Sequence, residues 1–307
     1  MYTKNFLKGF LLSQLLSLVR RRTLNYTNAI ALGAFTCIFP IIRSKTSTQT
    51  SAILSSIILT LLDPSILSQK VLSVAITRYI FDKVGHLPLF SEVMMCINAS
   101  HILSTFLTNQ NIYLDKSYHK FLKKQSIIDV EAINSKPIHF NQVHLAITNS
   151  RSFHLQFFVH LFLKAWIVAL KLYAPMYFVF FLFRKNKNIK HILIDLIRSS
   201  TFLSTYVTFG LFSLSTISYN RIYNVKTKYL TLLPIMWLSG TALLIERKQR
   251  RSTISAYCTV YSIDSLLSRI KINKYLLNLL YVLSLSYIIC SFSRTNNKMV
   301  KFILSQK

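Results

Sequence analysis

Six stretches of this chain run for 17 to 22 residues without Asp, Glu, Lys or Arg: 23–42, 46–62, 93–114, 199–220, 229–245 and 275–293. A helix needs about 20 apolar residues to cross a bilayer, and a charge at its centre costs roughly 2.5–3.5 kcal/mol. Such uncharged runs constrain the fold more than any single motif, because only helices packed on one another or on lipid accommodate them. The stretches also end abruptly. After 229–245 come Glu246, Arg247, Lys248, Arg250 and Arg251 within six positions, the edge expected where hydrocarbon gives way to water. Only 15% of the residues are charged, against about 25% in soluble domains. Ser and Thr are frequent inside the runs, which suits helices packed together, where hydroxyls bond to backbone or across an interface. The expected class is an all-α, polytopic helical membrane protein.

The net charge of +28, from 37 basic and 9 acidic residues, suggests nucleic acid at first sight. A nucleic-acid domain gathers its bases on one polar face. Here they fall in short clusters between apolar runs, at 20–22, 116–124, 184–190, 247–251, 271–274 and 294–301. Clusters beside membrane segments attract anionic lipid headgroups instead, at about 1 kcal/mol per residue. The expected partners are therefore the lipid bilayer and its anionic headgroups, not nucleic acid; a homo-oligomer stays open. Orientation does not follow, since bases at 20–22 and 43–45 flank the same uncharged run, whereas the positive-inside rule wants them on alternate loops. Cys37, Cys96, Cys258 and Cys290 lie within apolar or helical segments and form no C-x-x-C, so they read as small buried hydrophobes. The amphipathic stretch 4–22, ending in three Arg, resembles a presequence, but no small-residue cleavage site follows it and it matches a second segment of the fold.

That match belongs to a weak internal duplication. Phe6-Leu7-Lys8-Gly9 and Phe162-Leu163-Lys164-Ala165 each open an apolar helix ending in bases, at 20–22 and 184–187. An uncharged run follows each, then a helix closing on Asp63-Pro64 or on Glu246-Arg247, then a polar-striped helix at 71–84 or 253–270, then a last apolar helix at 90–107 or 275–292. The reading is two related five-helix units, 1–108 and 156–307, joined by a polar linker at 109–155. If all five helices span, the copies are inverted, with any site at the repeat interface; if the first lies in the interface, they are parallel.

Three groups of residues stand out. Glu246, Arg247, Lys248, Arg250 and Arg251 form a candidate anionic-headgroup cluster; the plainer reading is a solvated helix end with a Glu246–Arg250 pair at i,i+4. Arg78, Asp82, Asp264 and Arg269 interrupt the polar-striped helices and should face the bundle interior, water or the interface, with Arg78 and Asp82 able to pair. Lys171, Tyr173 and Pro175 mark a candidate kink, because proline leaves the carbonyl four residues earlier without its donor. Enzyme signatures are missing from the sequence. No D-x-D, E-x-x-H, Walker loop or G-x-S-x-G occurs, and His139, His144, His154 and His160 lack metal-ligand spacing. A non-enzyme without metal or cofactor is expected.

Leu170-Lys171-Leu172-Tyr173-Ala174-Pro175-Met176-Tyr177, Arg184-Lys185-Asn186-Lys187, Ser200-Thr201-Phe202-Leu203, the run from Ile245 to Arg251, Tyr257 and the run from Leu266 to Arg269 resemble the transmembrane protein 135 family. Lys8-Gly9-Phe10, Leu32-Gly33-Ala34-Phe35 and Ser117-Tyr118-x-Lys120-Phe121-Leu122 resemble its other half, itself similar to the channel-like subunits of mitochondrial inner-membrane translocases. The resemblance implies a peroxisomal or mitochondrial membrane and a part in peroxisome organisation, mitochondrial fission and lipid handling, including cholesterol movement or transport of a small metabolite. The alternatives are a translocase-like protein-conducting or scaffold component and a lipid-modifying membrane enzyme. Three departures are expected: the Tyr-Ala-Pro half comes second here, the cysteine-rich segment of animal members has no counterpart, and Gly9, Gly33, Gly85, Gly210 and Gly240 form no G-x-x-x-G.

Overall fold

The computed structural model describes residues 42, 47–62, 69–108, 113–126, 155–183, 189–219, 229–270 and 273–293. The basic runs at 20–22, 43–45, 184–187 and 294–301, the stretch 4–22 and most of the uncharged run 23–42 lie outside them. Among the described residues the ordered elements are all helical. They comprise α1 (Thr48–Leu62), α2 (Gln69–Val84), α3 (Phe90–Leu107), α4 (Lys116–Ser126), α5 (Leu155–Phe183), α6 (Ile189–Tyr219), α7 (Tyr229–Gly240), a 3-10 turn (Thr241–Ile245), α8 (Lys248–Leu267) and α9 (Lys274–Ser293).

The chain divides into two compact units, 1–80 with 270–307, and 81–269. In the first, α1 packs on α9. Ser51, Ala52, Ser55 and Ser56 form the buried face of α1, small residues that let two backbones come close. The Ser56 hydroxyl donates to the Ala52 carbonyl at 2.7 Å. Arg78 donates from Nε to Ser291 Oγ at 3.2 Å, and Tyr79 meets Tyr287 edge to face.

The second unit is built around α3, which packs on α7, α8 and the 3-10 turn; α6 lies between α5 and α7, and α4 touches α5 and α6. The α3 stripe Met95, Ala99, Ile102 and Phe106 is buried, at the i, i+4, i+7, i+11 spacing of one helix face. No G-x-x-x-G is needed for close approach: a Cβ on Gly240 of α7 would overlap the Cys96 backbone of α3, and one on Gly210 of α6 would stand 2.7 Å from Ser239 Oγ. Lone glycines do here what a paired motif does elsewhere. Asn98, buried on α3, ties α8 in by donating to Thr259 Oγ1 at 2.8 Å.

Part of the expected polar linker is structured. In α4, Tyr118 and Leu122 join the core, and buried Gln125 donates to the Ala165 carbonyl of α5 at 3.0 Å. The charged residues of 116–124 flank a helix with one strongly apolar side, a face that a charge count alone does not reveal.

Among the described residues one helix is long and apolar enough to cross a membrane, Leu155–Val179 within α5, and it is absent from the six uncharged runs because Lys164 and Lys171 interrupt it. Those lysines are exposed. Phe158, Leu161, Ala165, Ala169 and Tyr177 are buried, while Leu155, Val159, Leu163 and Ile167 form an exposed apolar row on the other side. Apolar character all round a helix is the pattern of a buried or lipid-facing segment. Gln49–Ile58, Tyr229–Ile245 and Leu276–Ser291 are apolar but shorter. The all-helical class holds among the described residues, and one candidate span among them does not by itself make the chain polytopic or give two five-helix units. Pro175 sits inside an unbroken α5.

Candidate functional site

The uncharged run 229–245 closes with the 3-10 turn, whose Leu243 carbonyl accepts from the Glu246 backbone N–H at 3.0 Å. Glu246 and Arg247 are extended, with ψ of 157° and 138°, and α8 starts at Lys248. This corner turns the chain so that the five charged side chains point to different neighbours.

Glu246 is not solvated; it is only 2% exposed. Its Oε1 accepts from Ser199 Oγ at 2.7 Å, and Oε2 lies 3.6 Å from Arg250 Nη1. Ser199 in turn accepts from Tyr177 at 2.9 Å and from Arg250 Nη1 at 2.8 Å, while Arg250 Nη1 also donates to the Tyr177 hydroxyl. Burial pulls the Arg250 guanidinium down, but Glu246 and Tyr177 outweigh that and hold it above its ordinary value. Arg247 Nε stands 2.6 Å from Asp195 Oδ1, an ion pair by distance in which the N–H is aimed off the oxygen. Arg251 Nη1 pairs with Glu92 of α3 at 2.9 Å, and its Nε and Nη2 bind the carbonyls of Glu246 and Leu244. Three of the four bases are thus matched with acids of the same unit. Lys248 is exposed.

One turn away lies a cavity of about 250 Å³, half open. Met95 of α3, Tyr118 of α4, Tyr173 of α5, Phe202 and Tyr206 of α6, and Ile254 and Cys258 of α8 help form its wall, with no Lys, Arg, Asp or Glu among the lining residues. The low polarity shows in the groups outside the long helices: burial pushes the Cys258 thiol up to about 12, against the pull of its hydrogen bond with Tyr118. Tyr118 is likewise raised well above its usual range, chiefly by burial.

Cavity and charged corner are in register on three helices. Tyr177 follows Tyr173 by four residues on α5, Ser199 precedes Leu203 by four on α6, and Arg250 precedes Ile254 by four on α8. Four residues is one turn, about 6 Å. Each helix therefore gives one side chain to the apolar wall and one to a polar layer directly beyond it. Tyr173 meets Tyr177 edge to face at 6.4 Å, and its hydroxyl makes no hydrogen bond to a described residue.

Of the other residues singled out, Arg269 stands between two rings, 4.7 Å from the Tyr113 centroid and 4.6 Å from that of Tyr229, and donates to Thr105 Oγ1 at 3.0 Å. His101, 5% exposed, meets the Tyr229 hydroxyl at 2.6 Å through Nδ1. Sequence reasoning passed over His101; its place inside an uncharged run was the available signal. Asp264 is buried, Asp82 exposed, Lys171 exposed. None of Arg78, Asp82, Asp264 and Arg269 lines the cavity. Among the described residues no three of His, Cys, Asp and Glu come together to hold a metal ion.

No curated protein and no solved structure matches this chain. One family model does: residues 140–272 match the N-terminal cysteine-rich region of Transmembrane protein 135. The counterpart of that region, expected to be missing, is therefore present, and it coincides with the second half of the chain. Its one cysteine is Cys258, in the cavity wall, which is why a search for cysteines overlooked it. The matched segment contains α5 to α8, the polar corner and most of the cavity wall, and over that segment, somewhat less than half of its length, the chain is similar to the transmembrane protein 135 family.

Proposed function

We propose that this chain is a multi-pass protein of a peroxisomal or mitochondrial membrane which supports the organisation of that membrane and handles lipid without catalysing a reaction. The cavity carries this reading: an apolar space of about 250 Å³ inside a helical unit, bordered on one side by a charged layer. Pockets that take small amphiphiles are apolar with a few placed polar groups, and here the polar groups stand to one side rather than within.

Membrane placement draws on α5, whose apolar residues line both its buried and its exposed faces. It draws also on α6, whose uncharged part, 199–219, extends about 31 Å at 1.5 Å per residue, close to the roughly 30 Å hydrocarbon layer. The buried serines and threonines of α6, among them Ser200, Ser204, Thr208 and Ser215, fit a helix that packs on protein within a membrane. In this reading the shorter apolar helices cross together with α5.

Location tests the proposal. A tagged chain is expected to coincide with peroxisomal or mitochondrial markers, to resist alkaline carbonate extraction, and on deletion to change the lipid composition of that organelle. Clean placement in the endoplasmic reticulum or plasma membrane, or release by carbonate, would defeat it.

A further inference from the structure

We infer that the cavity and the polar layer form one binding site for a single-chain amphiphile with an oxyanion head, carboxylate or phosphate, its chain in the cavity and its head on the free edge of Arg250. This rests on the lipid-handling reading and specifies its ligand. Size sets the chain. A cavity of about 150 Å³ lined by aliphatic and aromatic side chains holds benzene, so about 250 Å³ corresponds to roughly ten carbon atoms on the same scale. A straight chain of that length enters through the open side; a two-chain lipid does not fit.

The head is set by Arg250. Its Nη1 is occupied by Tyr177, Ser199 and Glu246, whereas Nε and Nη2 make no hydrogen bond to a described residue and the side chain is 39% exposed. Those two nitrogens present a planar fork that matches two oxygens of a carboxylate or phosphate. Arg247 and Arg251 are committed to Asp195 and Glu92, so Arg250, one turn from the cavity wall, is the base that combines a free edge with proximity to the chain. Within the wall no basic side chain compensates an anion, which makes the reverse orientation, head inward, costly. Tyr173, in the wall and with a hydroxyl that makes no hydrogen bond to a described residue, stands between the two regions. The four-residue offset on α5, α6 and α8 then places head and chain in adjoining layers.

The test uses the full chain in phosphatidylcholine nanodiscs and a dodecanoic acid carrying a diazirine near its methyl end. Saturable photolabelling of α6 or α8 is expected. Dodecanoic acid or lysophosphatidic acid should compete at least tenfold better than dodecanol; which of the two acids competes better tells carboxylate from phosphate, and either supports the site. Arg250→Gln should weaken labelling about tenfold. Ile254→Trp, which fills the cavity and leaves Arg250 in place, should abolish labelling without lowering the unfolding temperature. If Arg250→Gln does not fold, the dodecanol comparison on the unaltered chain decides. Equal competition by dodecanol, or labelling that does not saturate or maps to the exposed row of α5, would overturn the inference. Neither result would alter where the chain resides, so the site and the broader function can fail separately.

Discussion

Helices α5 and α7 are both apolar, both carry an internal proline, at Pro175 and Pro234, and both lie within the second unit. They have opposite neighbours. On α7, Leu232 and Met236 are fully buried and Gly240 touches the α3 backbone; on α5, Leu163 and Ile167 are about half exposed. Hydropathy ranks the two together because it measures what a side chain dislikes, not what it touches. What separates them is the small residue: Gly240 is needed for contact with protein, whereas the outer row of α5 has nothing to fit. The lysines point the same way, since α5 tolerates Lys164 and Lys171 on its surface while 229–245 has no charge at all.

Truncation should expose the contrast most sharply. Met236→Ala should cost about 2–5 kcal/mol, the range for emptying a packed site, while Leu163→Ala should change stability by less than about 0.5 kcal/mol, both read by thermal unfolding in the same nanodiscs. Equal losses would mean that α5 is packed on its outer side as well. Next, Gly240→Val should cost about 3 kcal/mol, since the clash is with backbone and cannot be relieved by a rotamer; a stable variant would show that α3 and α7 stand further apart. Ile167→Lys, at the middle of the candidate span, should reduce insertion by roughly 2.5–3.5 kcal/mol in a glycosylation-mapping assay, and unimpaired insertion would remove α5 from the membrane. Leu163→Ala aside, the smallest effect belongs to the corner after α7. Glu246→Gln keeps an acceptor for Ser199 but loses the charge facing Arg250, and because Arg250 is 39% exposed the cost should be only about 1 kcal/mol, measured as a shift in unfolding temperature.

Much of the architecture was legible because the periodic signals were strong. The helices at 71–84, 90–107 and 275–292 were readable to within a few residues of α2, α3 and α9, since charge-free or striped runs have few alternatives. The candidate span was missed as an uncharged run for a local reason: two lysines hid a segment whose other residues are apolar. The corner at Glu246 was visible as a cluster, yet its pairing was not, because Asp195 and Glu92 are remote in sequence and no local rule couples them to Arg247 and Arg251. Only the i,i+4 contact with Arg250 was within reach of helix geometry. The cavity was invisible for a related reason. Its wall comes from five helices, and the register between them depends on packing that no single helix encodes.

The hydroxyls bonded within their own helices have a consequence for how such a chain can drift. Ser204 to Ser200, Ser213 to Phe209, Thr216 to Phe212, Ser284 to Leu280 and Ser286 to Val282 each place a hydroxyl on the carbonyl one turn back. A side chain that satisfies its polarity at home asks its neighbours only for room. Selection at these places then acts on volume rather than on chemical identity, and Ser, Ala, Cys and Thr become near synonyms. A lineage can rewrite much of its interior in that small alphabet while the helices keep their distances.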